Sequence, residues 1–268
     1  LNFDDEVKCL EVVRELNSEH PVDLISTYLG AHSIPEEYKD DRKGYIDLMT
    51  EKVIPYISRE KLAEFVDCFC DEGVFSVEES RRILKSGEDR GLKIKIHADE
   101  LEPTGGAELA AELKAVSADH LVGASDRGLA LMRDNHVIPV LLPGTSFYLM
   151  TGRYADARRM IDVGLPVALA TDYNPGTCPT ESLEEIMTFA CFGMGMTPEE
   201  IICAMTINAA SALLRQHQIG SIRGGKKADL VILNVPNLNY MVYHFGVNHV
   251  NTVIKNGGIA VRDGRLTY

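Results

Sequence analysis

The chain has 268 residues, 45% of them hydrophobic and 25% charged, which excludes a disordered or fibrous protein and fits a folded one of one or two domains. Its 40 acidic against 27 basic residues give a net charge of −13, a field that repels phosphate backbones and anionic lipid, so neither nucleic acid nor a membrane surface is an expected partner. No apolar run reaches the roughly 18 residues that span a bilayer.

The N-terminal "LNFDDEVKCL" has no basic stretch followed by an apolar core, so it does not read as a signal peptide, and it has no initiator methionine. The chain is therefore expected to begin partway through a longer or processed protein. Cys9, Cys68, Cys70, Cys178, Cys191 and Cys203 form no CxxC pair, which predicts reduced thiols and a cytoplasmic setting. The close pair in "CFC" is expected to be strand packing rather than a metal or redox site.

"DEVKCLEVVRELNSE" places Val7, Leu10, Val13 and Leu16 at helical spacing. "VDLISTYLGAH" follows as a strand, "YIDLMTEKVIPYISRE" as helix and loop, and "LAEFVDCFC" as a strand. "SVEESRRILKSGEDRG" is a helix with Ser76 as N-cap and Gly91 as its stop. Then come the strand "LKIKIHADE", the helix "GGAELAAELKAV" and a short strand around "ADHLV". "ASDRGLALMRDNH" and "YADARRMIDVG" are helices, and "VIPVLLPG" and "LPVALATD" are strands. Repeated βα units of this length imply a parallel sheet covered by helices, and about six of them favour a (β/α)8 barrel over a doubly wound sheet. No GxGxxG follows a strand, which weighs against a dinucleotide fold.

After Asp172 two more helices are expected in "PTESLEEIMTFACFG" and "TPEEIICAMTINAASALL", the second capped by Thr197 with Glu200 three residues on. "GSIRGGKKADLVILNV" and "VNTVIKNGGIAVRDGRLTY" read as short strands joined by Gly-rich and Asn-Gly turns. The expected division is a barrel domain over 1–217, incomplete at its N-terminus, and a β-sandwich element over 218–268.

In a parallel barrel the C-terminal strand ends converge on one face, where active sites sit. The ends read here are His32, then Asp67 to Cys70, then His97 with Asp99 and Glu100, then His120, then "PGT" at 143–145, then Asp172. His97, His120 and Asp172 together suit a divalent metal and the water it activates, since imidazole and carboxylate are ordinary zinc ligands. Taken singly, each also fits a structural residue or a helix cap. Glu100 can shuttle protons or contact substrate, or be a solvated loop carboxylate. Lys95 lies two residues before His97, so it points to the same side and needs a carboxylate partner. In "TDYNPGTCPT", backbone amides near Asn174, Gly176 and Thr177 can bind a substrate carboxylate or merely form a tight turn.

These same stretches carry a resemblance. "HADELEPTGGAELAAELKAVSADHL", "LATDYNPGT" with "SLEEIM", and "TINAASALL" before "GSIRGGKKADLVI" resemble the imidazolonepropionases of the amidohydrolase superfamily, as do "YLGAHSIPEEY" and "LNYMVYHFGVNHV". The resemblance runs in unbroken order from about residue 20 to the end. It implies metal-dependent opening of the cyclic amide of 4-imidazolone-5-propanoate to N-formimidoyl-glutamate, in histidine degradation. The implied cofactor is one Zn or Fe ion, in a (β/α)8 barrel of the amidohydrolase kind beside a small β-sandwich. The family's metal ligands match His97 and Asp172. Its catalytic glutamate and histidine match Glu100 and His120, so His120 moves from ligand to a group acting on the scissile carbonyl, while Asp172 also activates water. His32, Glu100, Asn174, Gly176 and Thr177 match substrate contacts.

One departure stands out. The family takes two more ligands from a His-x-His on its first strand, and no His-x-His occurs here. The resemblance thus implies a C-terminal portion, inactive alone and homodimeric when full length. The alternatives are another amidohydrolase, such as a deaminase or cyclic amidase, or a non-catalytic scaffold.

Overall fold

The computed structural model describes residues 2–267. The chain divides into two compact units, the first running to Val137 and the second starting at Ile138. The boundary expected at residue 217 falls within the second.

The first unit opens with α1 (Phe3–Glu19), whose N-cap Asn2 accepts from the Asp5 amide. Val7 and Leu10 are buried while Leu16 is exposed, so only the first half of its apolar stripe is covered. The chain continues through β1 (Thr27–Ala31), α2 (Arg42–Leu48), a π-helical turn (Met49–Val53) and α3 (Ile54–Arg59). The segment expected to be helix and loop is thus helical as far as Arg59, with Pro55 following directly on the π-helical turn. Then follow β2 (Phe65–Cys70), α4 (Val77–Glu88), β3 (Lys93–Ala98), α5 (Gly106–Glu112), β4 (Ser117–His120) and α6 (Asp126–Asp134).

The four strands pair in parallel and in sequence order, β1 with β2, β2 with β3, and β3 with β4. Every residue of β2 is buried, as expected of a strand covered on both faces. Ser76 and Glu79 form a reciprocal capping box at the start of α4. Arg42 donates to both carboxylate oxygens of Glu79, at 2.6 and 2.8 Å, and so ties α2 to that cap.

Two glycines set how closely helices approach the sheet. A Cβ at Gly87 would stand 2.5 Å from Val66 Cγ1, and one at Gly106 would stand 2.8 Å from both Ala98 Cα and Cβ. The second clash involves backbone, which cannot swing aside. Gly106→Ala is therefore expected to destabilise the protein by about 1–3 kcal/mol and to displace the end of β3. Urea denaturation checks it: a midpoint equal to that of the wild type would show that α5 can shift freely.

The second unit contains β5 (Ile138–Leu141), α7 (Pro143–Tyr148), α8 (Ala157–Asp162), β6 (Ala168–Leu169), α9 (Leu183–Met194) and α10 (Pro198–Cys203). A π-helical turn (Ala204–Asn208) joins α10 to α11 (Ala209–Ala212). Then come β7 (Leu230–Leu233), α12 (Leu238–Tyr243), β8 (Val250–Lys255), β9 (Gly258–Arg262) and β10 (Arg265–Leu266). β5 and β6 are parallel, and Val140, Leu142, Ala168 and Ala212 form a core cluster beside them. β10, β9, β8 and β7 form an antiparallel sheet in that order, with Asn256 and Gly257 at positive φ in the β8–β9 turn as Asn-Gly predicts. Thr197 and Glu200 complete the expected capping box of α10.

Two helices of this unit, α7 and α12, were not expected. The first begins at Pro143 directly after a strand, in the "PGT" counted among the strand ends. The second starts from Asn237, whose side chain accepts from the Tyr240 amide.

Candidate active site

Side chains alternate along a strand, so residues two apart share a face. In β2 that face carries Asp67 and Phe69, in β3 Lys95 and His97, and in β4 Ser117 and Asp119. The register aligns them: Phe69 lies opposite His97, Lys95 opposite Ser117, and His97 opposite Asp119. Three adjacent strands thus present a patch of polar groups on one face, toward their C-terminal ends.

The side chains engage one another. His97 Nδ1 lies 3.2 Å from Asp67 Oδ1, and Asp67 is only 3% exposed. Lys95 Nζ donates to Ser117 Oγ at 3.1 Å and stands 5.1 Å from the centre of the Phe65 ring. Ser117 Oγ in turn donates to Asp119 Oδ1 at 3.0 Å. Burial holds the Asp119 carboxyl above its usual range, against the pull of the Lys95 ammonium. The carboxylate partner that the sequence demanded for Lys95 is therefore Asp119, reached through a serine.

His120 obeys a different rule. Alternation would turn it away from the face that holds Asp119. Its backbone instead adopts φ 71°, with Leu121 at 61°, and this left-handed break re-aims the ring. The ring centre lies 5.2 Å from that of His97, and Nε2 lies 3.3 Å from Glu100 Oε2. Burial, with His97 and His32 nearby, pushes the His120 pKa well below the ordinary imidazole value, so the ring is neutral at pH 7. His32 is exposed, with ring centres 5.5 Å from Phe69 and 6.1 Å from His97. The structure thus brings together His32, His97, Glu100 and His120, four of the residues singled out in the sequence.

Asp99 stands apart from them. Its carboxylate accepts from the backbone amides of Thr104, Gly105, Gly106 and Ala107, all within 3.0 Å, and from the Thr104 hydroxyl. It is the anchor of α5, and its neighbour Glu100 is the group turned to the imidazoles. Cys68 and Cys70 are buried, with Cys68 Sγ donating to Ser80 Oγ. Burial raises the Cys68 thiol well above its usual range and Cys70 to about 11, so both are packing thiols.

Asp67, His97 and Asp119 each offer a ligand atom, and the three atoms lie within 4.8 Å of one another. One imidazole nitrogen and carboxylate oxygens are a donor set suited to zinc or iron(II). Sequence reading named the end of β2 only as a run and passed over Asp119. The only signal in the sequence was a carboxylate two residues after a strand serine and directly before His120.

In the second unit Asp172 has φ 56° and accepts from Thr145 Oγ1 at 2.5 Å. Thr145 lies in α7, which comes close because Gly144 has no side chain: a Cβ there would stand 2.7 Å from Cys178 Sγ. Asn174 organises the loop that follows. Its Oδ1 accepts from the Gly176 and Thr177 amides at 2.9 and 2.7 Å, and its Nδ2 donates to the Asp172 carbonyl. Those two amides, expected as donors to a substrate, thus already bond within the loop.

Among the described residues no helix is long and apolar enough to cross a membrane. The amidohydrolase family matches residues 69–260. The chain is 57% identical over 266 residues to an imidazolonepropionase of Alkaliphilus oremlandii, covering 99% of this chain and 63% of that relative. It is 58% identical to the imidazolonepropionase of Geobacillus thermodenitrificans, covering 99% and 62%. It therefore spans just under two thirds of the length of these curated relatives. Among solved structures, an adenosine deaminase from Xanthomonas campestris with bound zinc aligns with a TM-score of 0.75 at 16% identity, over 96% of this chain and 65% of that one. A triazine hydrolase variant aligns with a TM-score of 0.71 at 14% identity, over the same shares. The fold is that of a partial (β/α)8 barrel with a C-terminal antiparallel sheet, and the chain belongs to the amidohydrolase family.

Proposed function

We propose that this chain is part of an imidazolonepropionase, which opens the cyclic amide of 4-imidazolone-5-propanoate with water to give N-formimidoyl-L-glutamate in histidine degradation. The observation that carries the reading is identity of 57% to a relative of that name over 99% of the chain. The gathering of His32, His97, Glu100 and His120 at the strand ends supports it.

In this reading His97 and Asp172 are metal ligands, and a single zinc or iron ion supplies Lewis acidity and lowers the pKa of water. Asp172 accepts the proton of the attacking water, whose oxygen bonds to the ring carbonyl carbon. His120, held neutral, polarises the carbonyl and stabilises the oxyanion by a hydrogen bond. Glu100, 3.3 Å from His120, passes a proton to the ring nitrogen as the C–N bond breaks. His32 reaches the imidazolone from its exposed position. Asn174, Gly176 and Thr177 contribute by shaping the loop that follows Asp172. The protein acts in the cytoplasm as a homodimer on this small molecule, without nucleic acid or membrane.

The test is hydrolysis by the full gene product of imidazolonepropionate, with a hydantoin and a guanine-type base in parallel. Turnover of the first is expected, with loss on chelation and recovery on adding zinc or iron(II). Turnover of either control without imidazolonepropionate opening would overturn the assignment.

A further inference from the structure

We propose that Asp67 is a positioning residue that fixes the tautomer and ring orientation of His97. The inference rests on the reading of His97 as a metal ligand. A carboxylate can only accept hydrogen bonds, so at 3.2 Å from Asp67 Oδ1 the His97 Nδ1 must carry the hydrogen. The lone pair then lies on Nε2, the nitrogen that would ligate a cation. A ligating imidazole needs such a partner to hold its ring and raise its basicity.

The surroundings make this contact a built one. Asp67 is buried in the middle of β2, a strand with no exposed residue, and its Oδ1 also accepts from the Cys68 amide at 2.7 Å. The carboxylate is therefore locked before any ion arrives. On the other side of His97, Asp119 is held by the Ser117 hydroxyl, which is itself held by Lys95. Lys95 also supplies the positive charge that lets two carboxylates stand beside one imidazole. Phe69 and His120 flank the ring, with centres at 5.8 and 5.2 Å.

The test uses the full gene product, with zinc affinity measured by competition against a chromophoric chelator. Asp67→Ala is expected to weaken zinc binding about 10–100-fold. Asp67→Asn, whose side-chain carbonyl still accepts from Nδ1–H, should recover most of the loss and serves where the alanine variant does not fold. In the zinc-free protein, long-range 15N–1H NMR should show His97 protonated on Nδ1 and, in Asp67→Ala, on Nε2. Wild-type affinity and an unchanged tautomer in Asp67→Ala would overturn the proposal. So would a loss in Asp67→Asn as deep as in His97→Asn with a changed cobalt(II) absorption band, since Asp67 would then be a ligand itself. Unchanged zinc affinity in His97→Asn is a separate result, which sinks the ligand reading of His97.

Discussion

Asp172→Ala in the full gene product is expected to lower the rate of ring opening by roughly 10²–10⁴-fold, the range spanned when a positioned proton acceptor is removed. The carboxylate is held rather than loose: Thr145 donates to it at 2.5 Å, and Thr145 is itself 2% exposed. Thr145→Val keeps the shape and deletes the donor, so it should lose about tenfold by loosening the hold on the Asp172 carboxylate. Steady-state assays of both variants, with circular dichroism to confirm folding, settle the order. Near-normal turnover in Asp172→Ala would remove this residue from the mechanism. A Thr145→Val variant slower than Asp172→Ala would show that the threonine acts on its own account.

The largest effect on stability is expected from Asp99→Ala, at about 3 kcal/mol. Four backbone amides at the start of α5 converge on that one buried carboxylate. Alanine would leave them without that acceptor, and the amides of Gly106 and Ala107 belong to buried residues. Asp99 also has φ 51°, a conformation that aspartate and asparagine tolerate better than alanine. Asp99→Asn should therefore cost roughly half as much. Urea titrations followed by circular dichroism give the comparison, and equal midpoints for the alanine variant and the wild type would refute it. Because Glu100 is the next residue, the alanine variant should also lose turnover well below its unfolding midpoint.

The parts of the fold set by local chemistry were legible in the sequence. Ser76 with Glu79, and Thr197 with Glu200, announce their helices because a capping box is a four-residue device. The histidines at strand ends were legible for the same reason, since an apolar run that stops on His97 needs no tertiary knowledge to notice. What could not be read was whatever depends on register. That Asp119 stands opposite His97, and Ser117 opposite Lys95, follows from how β3 and β4 align, which neither strand states alone. The role of Asp99 was hidden for a related reason. Its position after a strand histidine is that of a catalytic carboxylate, and only the path of residues 104–107 shows that it anchors a helix. His120 was legible as a strand-end histidine, though the left-handed backbone that turns it inward leaves no mark in the residue order.

That left-handed backbone has a further consequence for anyone wishing to harden the scaffold. Asp99, His120, Leu121 and Asp172 all follow or end strands in a conformation that costs a side-chain-bearing residue about 1 kcal/mol. Glycine would relax each backbone, yet at Asp99 it would strip four amides of their acceptor, so a library screened for heat resistance should keep that aspartate, and glycine at His120 or Asp172 would remove a side chain that the proposed mechanism uses. Leu121 bears no such group, and Leu121→Gly is where the gain in ease competes only with the loss of a buried side chain.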